Sequence, residues 1–201
     1  MCREKFEGRL VIRRGLEIGQ MHLCPENAFA VISKYPFDFI IGSLHKIENV
    51  DVSQMEYTER TMPHIAEAYY RHLIRLSEVG EFDCLGHLDL IKRHSVKNGL
   101  PDYYDKYEKE ITRVLRNLVS RGKGIEINTS GIRQGTGESM PAIKTVRLFA
   151  QLGGTVVTVG SDAHRPEDVG ADFHEAEKLL KEAGFKEVTR FERRRGLPVK
   201  I

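Results

Sequence analysis

Short apolar runs alternate with helical patterns along almost the whole of this chain, and no other feature of the sequence restricts the fold as strongly. Runs of about four to eight residues that are rich in valine and isoleucine are typical of buried strands. Strands that alternate with helices are typical of a parallel sheet, because each parallel connection needs a crossover the size of a helix. The five predicted strands cover residues 11–18, 37–44, 83–85, 124–128 and 155–160.

The segments between these strands carry apolar residues at the spacing of an amphipathic helix. Pro25 suits the first turn of one helix, because no backbone N–H donor is needed there. Gly184 suits the end of the last helix, because glycine readily adopts a left-handed backbone. The five predicted helices cover residues 25–35, 65–79, 104–122, 143–153 and 173–183.

The composition predicts a single domain over residues 1–201, with 40% hydrophobic and 30% charged residues. No stretch approaches the roughly 20 apolar residues that a membrane-spanning helix needs. The charged first residues lack the apolar centre of a secretory signal. Three scattered cysteines, Cys2, Cys24 and Cys84, form no disulfide framework, which is typical of a protein in the reducing cytoplasm.

The charge balance excludes little, because 31 basic and 29 acidic residues leave a formal net charge of +2. Basic residues concentrate near the C-terminus, and such a run can contact nucleic acid. A solvated chain end is the commoner explanation of such a run, so we expect neither a nucleic acid nor a membrane as partner. The run comprises Arg190, Arg193, Arg194, Arg195 and Lys200.

Histidine or acidic residues stand at the carboxyl end of every predicted strand. In a barrel these ends converge on one mouth, which is where active sites of that fold lie. The alternation of elements alone does not separate a barrel from an open doubly wound sheet, but this convergence favours the barrel. The residues at the strand ends are Glu17, His45, His87, Asp89, Glu126, Asp162 and His164.

The chemistry of these side chains indicates a metal site. Asp162 and His164 are two residues apart, so both project the same way from an extended segment. Glu17 stands in an apolar run and needs a partner or a metal if it is buried; a half-exposed strand face is the less favoured alternative. A single histidine such as His45 or His87 is more often structural, but the set together favours Zn, Mn or Fe and metal-assisted hydrolysis. We expect His22, His64, His72, His94 and His174 not to be ligands, with His22 and His94 in loops.

A glycine-rich segment, residues 130–137, follows the fourth predicted strand. It is consistent with a phosphate-binding loop and equally with a flexible loop over the site. Arg133 is its most informative member, because a guanidinium can hold a phosphate through two parallel hydrogen bonds.

Five segments together resemble the histidinol-phosphatases of the polymerase-and-histidinol-phosphatase (PHP) superfamily. The run Gly-His-Leu-Asp-Leu at 86–90 and the run Asn-Thr-Ser-Gly-Ile-Arg at 128–133 favour that family over its relatives. The resemblance spans nearly the whole chain, in family order. The segments cover residues 15–19, 38–45, 82–93, 124–133 and 158–164.

The resemblance implies an α/β fold, a distorted (β/α)7 barrel, and a divalent metal cluster that hydrolyses L-histidinol phosphate in histidine biosynthesis. It implies that Glu17 bridges two metals and that His45 and His87 complete the second site. Asp162 would belong to the first site and His164 to the third, in a family with three metals.

The resemblance also implies roles for residues beside the metals. Arg133 would contact the substrate phosphate, and the further candidates for substrate contact are Asn128, Lys92 and Arg165. Asp162 and Asp89 are the candidates for the catalytic acid or base. Asp89 could instead orient His87 through a hydrogen bond.

The family pattern begins with a His-x-His strand that has no counterpart before Glu17. We therefore expect an N-terminally truncated domain with about five of seven barrel strands, fewer than three metals and weak or absent turnover. Open barrel edges would favour self-association. Two alternatives stay open: another PHP phosphoesterase acting on nucleotides or DNA ends, and a non-catalytic remnant that binds a metal or a partner.

Overall fold

The computed structural model describes residues 2–201, which contain nine strands and eight α-helices. The strands are β1 (Gly15–Gly19), β2 (Phe39–Ser43), β3 (Lys46–Ile47), β4 (Val50–Asp51), β5 (Cys84–Leu85), β6 (Gly124–Asn128), β7 (Val157–Gly160), β8 (Glu187–Glu192) and β9 (Arg195–Lys200). The helices are α1 (Cys2–Lys5), α2 (Pro25–Lys34), α3 (Met62–Val79), α4 (Leu90–Lys97), α5 (Glu108–Ser120), α6 (Ser130–Arg133), α7 (Ile143–Gln151) and α8 (Phe173–Glu182).

The central sheet is parallel, in the order β1-β2-β5-β6-β7. Neighbours in the sheet are also neighbours in chain order, which is the arrangement of a barrel rather than of a doubly wound sheet. All five carboxyl ends therefore lie along one side of the sheet. This confirms the predicted α/β class with five parallel strands, and β1 and β7 are its two edges among the described residues.

The first strand begins four residues later than predicted. Pairing starts where Gly15 meets Phe39. Before that point the N–H of Arg14 donates to the Asp38 carboxylate at 2.8 Å instead of to a neighbouring strand. The side chain of Arg13 pairs with Glu192 at 2.9 Å. One backbone bond, from the Asp38 N–H to the Arg14 carbonyl at 2.7 Å, still reaches this segment. Side-chain bonds supply the other contacts named here, and residues 11–14 are not strand.

Helix α4 and both hairpins were not predicted. His94 lies in α4 and not in a loop. The C-terminal basic run was predicted as a solvated end, and four of its five basic residues are exposed. It is nevertheless ordered, within the antiparallel hairpin β8–β9. Arg194, in the turn of that hairpin, donates to both carboxylate oxygens of Asp83 at 2.8 Å. The charged residues hide the strand alternation in the sequence, and their partners lie far away along the chain.

One continuous core of buried apolar residues lies between the sheet and the helices. Helix α3 presents Tyr69, Leu73 and Leu76 to it, and α5 presents Ile111 and Leu115. No helix among residues 2–201 is long and apolar enough to cross a membrane.

Candidate metal centre

Three polar side chains from neighbouring strands meet at the carboxyl side of the sheet. Glu17 belongs to β1, and His45 and His87 follow β2 and β5 by two residues. The Glu17 Oε1 atom lies 3.3 Å from His45 Nε2 and 3.3 Å from His87 Nε2. The two Nε2 atoms are 3.1 Å apart. Among the described residues, these three side chains are the one group whose potential ligand atoms lie close enough together to hold a metal ion.

These three distances are close to those between the ligands of one metal ion. If both Nε2 atoms carry hydrogens toward Glu17, the two N–H groups face each other at 3.1 Å, which is unfavourable. A tetrahedral ion with ligand bonds near 2.0–2.1 Å separates neighbouring ligand atoms by about 3.3–3.5 Å. The donor set of two imidazoles and one carboxylate suits Zn, Mn or Fe. Glu17, His45 and His87 therefore fit a divalent cation.

The site is open on one side and closed on the other. The His87 side chain is 7% exposed, whereas 38% of His45 and 42% of Glu17 are exposed. Glu17 was expected to be buried; it is part-exposed because β1 is an edge strand with one neighbour. It is nevertheless paired with both imidazoles, as a carboxylate in an apolar run requires.

Electrostatics link these side chains closely. Without a metal, a hydrogen bond from His45 or from His87 holds the pKa of the Glu17 carboxyl well below its usual value. Burial alone would lower the pKa of His87, but its hydrogen bond to Glu17 and the charges of Glu126 and Asp162 raise it. A cation bound here would displace the proton that His87 shares with Glu17, because a metal binds the neutral form of imidazole.

The other two predicted ligands lie outside the group of three. Asp162 follows β7, and its Oδ2 atom is 3.3 Å from Ser130 Oγ and 3.7 Å from Arg93. His164 is 80% exposed, and its Nδ1 lies 2.9 Å from the Asp162 carbonyl oxygen. Their metal-ligand roles stay predictions.

The predicted phosphate contact Arg133 already has partners. Its guanidinium pairs with Asp168 and Asp172, both at 3.2 Å, and donates to the Ser161 carbonyl at 2.7 Å. It thereby fixes the segment after β7. Arg165 lies in that same segment and is exposed.

Lys92 and Asn128 are buried, and their polar groups are taken up by neighbouring side chains. Lys92 forms ion pairs with Asp102 and Glu138. The Asn128 amide donates to Glu126 at 3.1 Å. Substrate contact by these two residues stays a prediction.

Asp89 does not orient His87, which corrects one of its two expected roles. His87 Nδ1 and Asp89 Oδ1 are both buried without a hydrogen-bond partner among residues 2–201. Asp89 directly precedes α4 and lines a small cavity beside Lys92. Burial raises the pKa of its carboxyl to about 6, against the opposing charge of Lys92.

Two residues that contact the candidate site were given no role by the sequence prediction. Glu126 was noted at a strand end without a role, although a carboxylate between Ile125 and Ile127 is the same signal that singled out Glu17. Arg93 gave no sequence signal, because a basic residue in a helix is usually a solvated one.

The other histidines supply no second centre. His22 Nε2 lies 2.9 Å from His72 Nδ1, a pair that was not predicted. No carboxylate joins these two rings in a metal-type group within the described part of the chain.

The fold and this cluster together define a parallel α/β protein with a metal site at the carboxyl ends of its strands. A family model described as the PHP domain matches residues 2–130, well over half of the chain. The chain belongs to the PHP domain family.

Individual relatives agree with this assignment. The chain is 31% identical over 184 residues to the "Probable histidinol-phosphatase" of Clostridium acetobutylicum, covering 90% of this chain and 71% of that protein. It is 31% identical over 191 residues to the protein of the same name from Deinococcus radiodurans, covering 92% and 70%.

Solved structures share the fold. The crystal structure of histidinol phosphate phosphatase from Lactococcus lactis, complexed with zinc, L-histidinol and phosphate, superposes with a TM-score of 0.76 at 24% identity. The superposition covers 98% of this chain and 75% of that one. It supports the distorted barrel fold of the PHP type.

Proposed function

We propose that this chain is a metal-dependent phosphatase that hydrolyses L-histidinol phosphate to L-histidinol and phosphate. The observation that carries the proposal is the triangle of Glu17, His45 and His87 at the carboxyl ends of three parallel strands. The names of the two bacterial relatives, and the zinc, L-histidinol and phosphate bound by the Lactococcus protein, support this reaction and substrate.

Glu17, His45 and His87 would hold the metal. When bound, the metal supplies a Lewis acid for a phosphoryl oxygen and lowers the pKa of water. The site is closed on the side of the buried His87. On the side of His45 and Glu17 it is open to solvent, which leaves room for a substrate. Asp162 is our candidate to move a proton to the leaving alkoxide, because it is part-exposed beside Ser130. Asp89, in its separate cavity, is the second candidate.

Basic side chains near Asp162 would bind the phosphate. Arg165 is exposed and stands three residues after Asp162. Arg133 reaches the same segment through the Ser161 carbonyl. Lys92 and Asn128 would contribute only if their present partners gave way. His164, two residues after Asp162, is a further candidate ligand for a metal ion.

The test is phosphate release by purified protein, stripped with a chelator and reloaded with Zn, Mn or Fe. We expect metal-dependent release from L-histidinol phosphate, at a slow rate because three ligands cluster. His87→Ala should abolish it, whereas His64→Ala, at an exposed histidine of α3, should not. Equal rates without metal would overturn the proposal. Faster release from nucleotide monophosphates would favour another PHP phosphoesterase.

Metal content and oligomeric state complete the proposal. We expect about one metal per chain by elemental mass spectrometry, and three would mean that the cluster extends to Asp162 and His164. Metal binding without phosphate release would favour a non-catalytic role. We also propose that residues 1–201 act as one domain in the cytoplasm, where the free cysteines stay reduced. Self-association through the β1 and β7 edges would appear as a dimer in light scattering.

A further inference from the structure

The carboxylate of Glu126 is buried in the middle of the sheet, and only 6% of the residue is exposed. Its Oε2 atom accepts the backbone N–H of His87 at 3.1 Å and the side-chain amide of Asn128 at 3.1 Å. No lysine or arginine pairs with it between Cys2 and Ile201. A buried carboxylate without a basic partner is costly, so its presence calls for a reason.

The neighbouring strands leave room for this carboxylate. Gly86 follows β5 and Gly160 ends β7, on either side of β6. A Cβ atom at Gly160 would clash with Glu126 Oε1. A Cβ atom at Gly86 would clash with Ile41 and would lie in ordinary contact with Oε2, at 3.4 Å. The absence of a side chain at Gly160 therefore gives the carboxylate of residue 126 its space, on the β7 side of β6.

The partner of this carboxylate, His87, has an unusual backbone. Its φ is +20°, a region that residues other than glycine rarely adopt. Strand β5 has two residues, so ladder bonds do not hold residue 87 in place. Residues in such conformations persist where surrounding contacts fix them. Two contacts do so here: the His87 N–H donates to Glu126 at 3.1 Å, and the His87 carbonyl accepts the Leu90 N–H at 3.0 Å. The first of them is the one made by a side chain.

The ring nitrogen of His87 that faces away from Glu17, Nδ1, makes no hydrogen bond within residues 2–201 that would orient the imidazole. A metal-ligating histidine usually donates its second ring N–H to a neighbouring group. His87 Nδ1 is buried without such a partner among the described residues. Apart from its Nε2 contacts with Glu17 and His45, the ring therefore depends on its backbone for its orientation.

Glu126 is itself held by a chain of hydrogen bonds. Asn128 Oδ1 accepts from the Ser130 N–H at 3.0 Å and from Ser130 Oγ at 2.6 Å. Arg93 Nη2 donates to Ser130 Oγ at 2.8 Å. The chain ties β6 to α6 and α4, so Glu126 has little freedom to turn away from His87.

We propose that Glu126 is a positioning residue that orients His87 through its backbone N–H and thereby sets the metal affinity of the Glu17–His45–His87 site. The inference rests on the metal centre of the proposed function, but not on its substrate.

The test compares zinc affinity, measured by competition with a chromophoric chelator, in the full chain and in Glu126→Gln and Glu126→Ala. Losing such a supporting contact typically weakens metal binding about 10- to 100-fold. We expect that loss for Glu126→Ala and a smaller one for Glu126→Gln, whose amide oxygen can still accept the His87 N–H. The visible spectrum of the Co²⁺-loaded variants should change as well, because the ligand geometry changes.

Asp83→Asn is the matched control. Asp83 is a second buried carboxylate that accepts a backbone N–H across strands, from Ile40 at 2.8 Å, but it lies at the amino ends. Its variant should lose stability yet keep zinc affinity and the Co²⁺ spectrum. Unchanged affinity in both Glu126 variants, or an equal loss in Asp83→Asn, would overturn the inference. A wild-type chain that binds no metal would instead overturn the metal centre of the proposed function, and the inference with it.

Discussion

The two ends of the central sheet both hold carboxylates, but they neutralise them differently. At the amino end, Asp83 pairs with Arg194 at 2.8 Å and Asp38 pairs with Arg3 at 2.9 Å. At the carboxyl end, Glu17 and Glu126 contact imidazoles, an amide and a backbone N–H. Guanidinium groups complete the charge balance at the amino end. The carboxyl end keeps capacity for a cation.

Within this one sheet, the amino end contributes to stability and the carboxyl end carries the candidate metal site. Asp38 also accepts the N–H groups of Arg14 and Arg193, which holds its pKa below its usual value. The amino end is therefore a clamp that joins β2, β5 and the β8–β9 turn. At the other end, similar chemical groups are arranged with unmet bonding capacity, which is typical of functional sites.

The largest effect should follow the loss of the anionic ligand. Glu17→Gln replaces a carboxylate by a neutral amide, so we expect zinc affinity to fall by at least about 100-fold, beyond the range for supporting residues. A competing chelator measures this directly. Asp38→Asn is the control from the amino end, and it should leave zinc affinity unchanged. Equal losses in the two variants would break the comparison.

The clamp at the amino end should appear in stability. Arg194→Ala leaves the buried Asp83 carboxylate with the Ile40 N–H alone, so we expect the free energy of unfolding to fall by about 2 kcal/mol. Urea denaturation measures the change. Arg190→Ala, at an exposed position of the same hairpin, should shift it by less than about 0.5 kcal/mol. A loss of zinc affinity in Arg194→Ala would contradict the separation of the two ends.

The smallest effect concerns a histidine pair that lacks a carboxylate. Burial, with the charges of His72 and Arg75, lowers the pKa of His22 to about 4. Its folded pKa lies below the unfolded value of about 6.5, so the unfolded chain binds more protons between these values and stability falls as the pH drops from about 6.5 to about 4.

Replacing His22 should remove part of the stability loss at acidic pH. We expect His22→Asn to be less sensitive over this pH range by roughly 1 kcal/mol, because solvent screens a half-buried group. Urea unfolding at pH 7 and pH 5 compares the variant with the wild type. Identical pH dependence would show that burial of His22 costs no stability in this pH range.

The sequence predicted the elements whose pattern is local. Strand β6 matches its predicted bounds because Gly124 opens it, two isoleucines follow at alternate positions, and all five residues are buried. Helix α4 was missed because its eight residues are too few for a clear period. The β8–β9 hairpin was missed because its charged side chains find partners such as Asp83, more than a hundred residues away.

The metal triangle could be predicted because parallel strands bring their carboxyl ends together. Glu17, His45 and His87 each stand at or just after such an end. The direction of a side chain could not be predicted in the same way. Arg133 turns to Asp168 and Asp172, and Asp89 turns away from His87, because tertiary neighbours decide those rotamers.

The position of Glu17 on an edge strand has a consequence for local unfolding. Strand β1 pairs with β2 alone among the described residues, so its free edge is where the sheet should open first. A cation held by Glu17, His45 and His87 would join β1 to the ends of β2 and β5, and would stabilise the closed form by its binding free energy. Amide hydrogens of Leu16 and Ile18 should therefore exchange more slowly when zinc is present. The bound metal would in this way lower the frequency of local unfolding at the edge of the sheet.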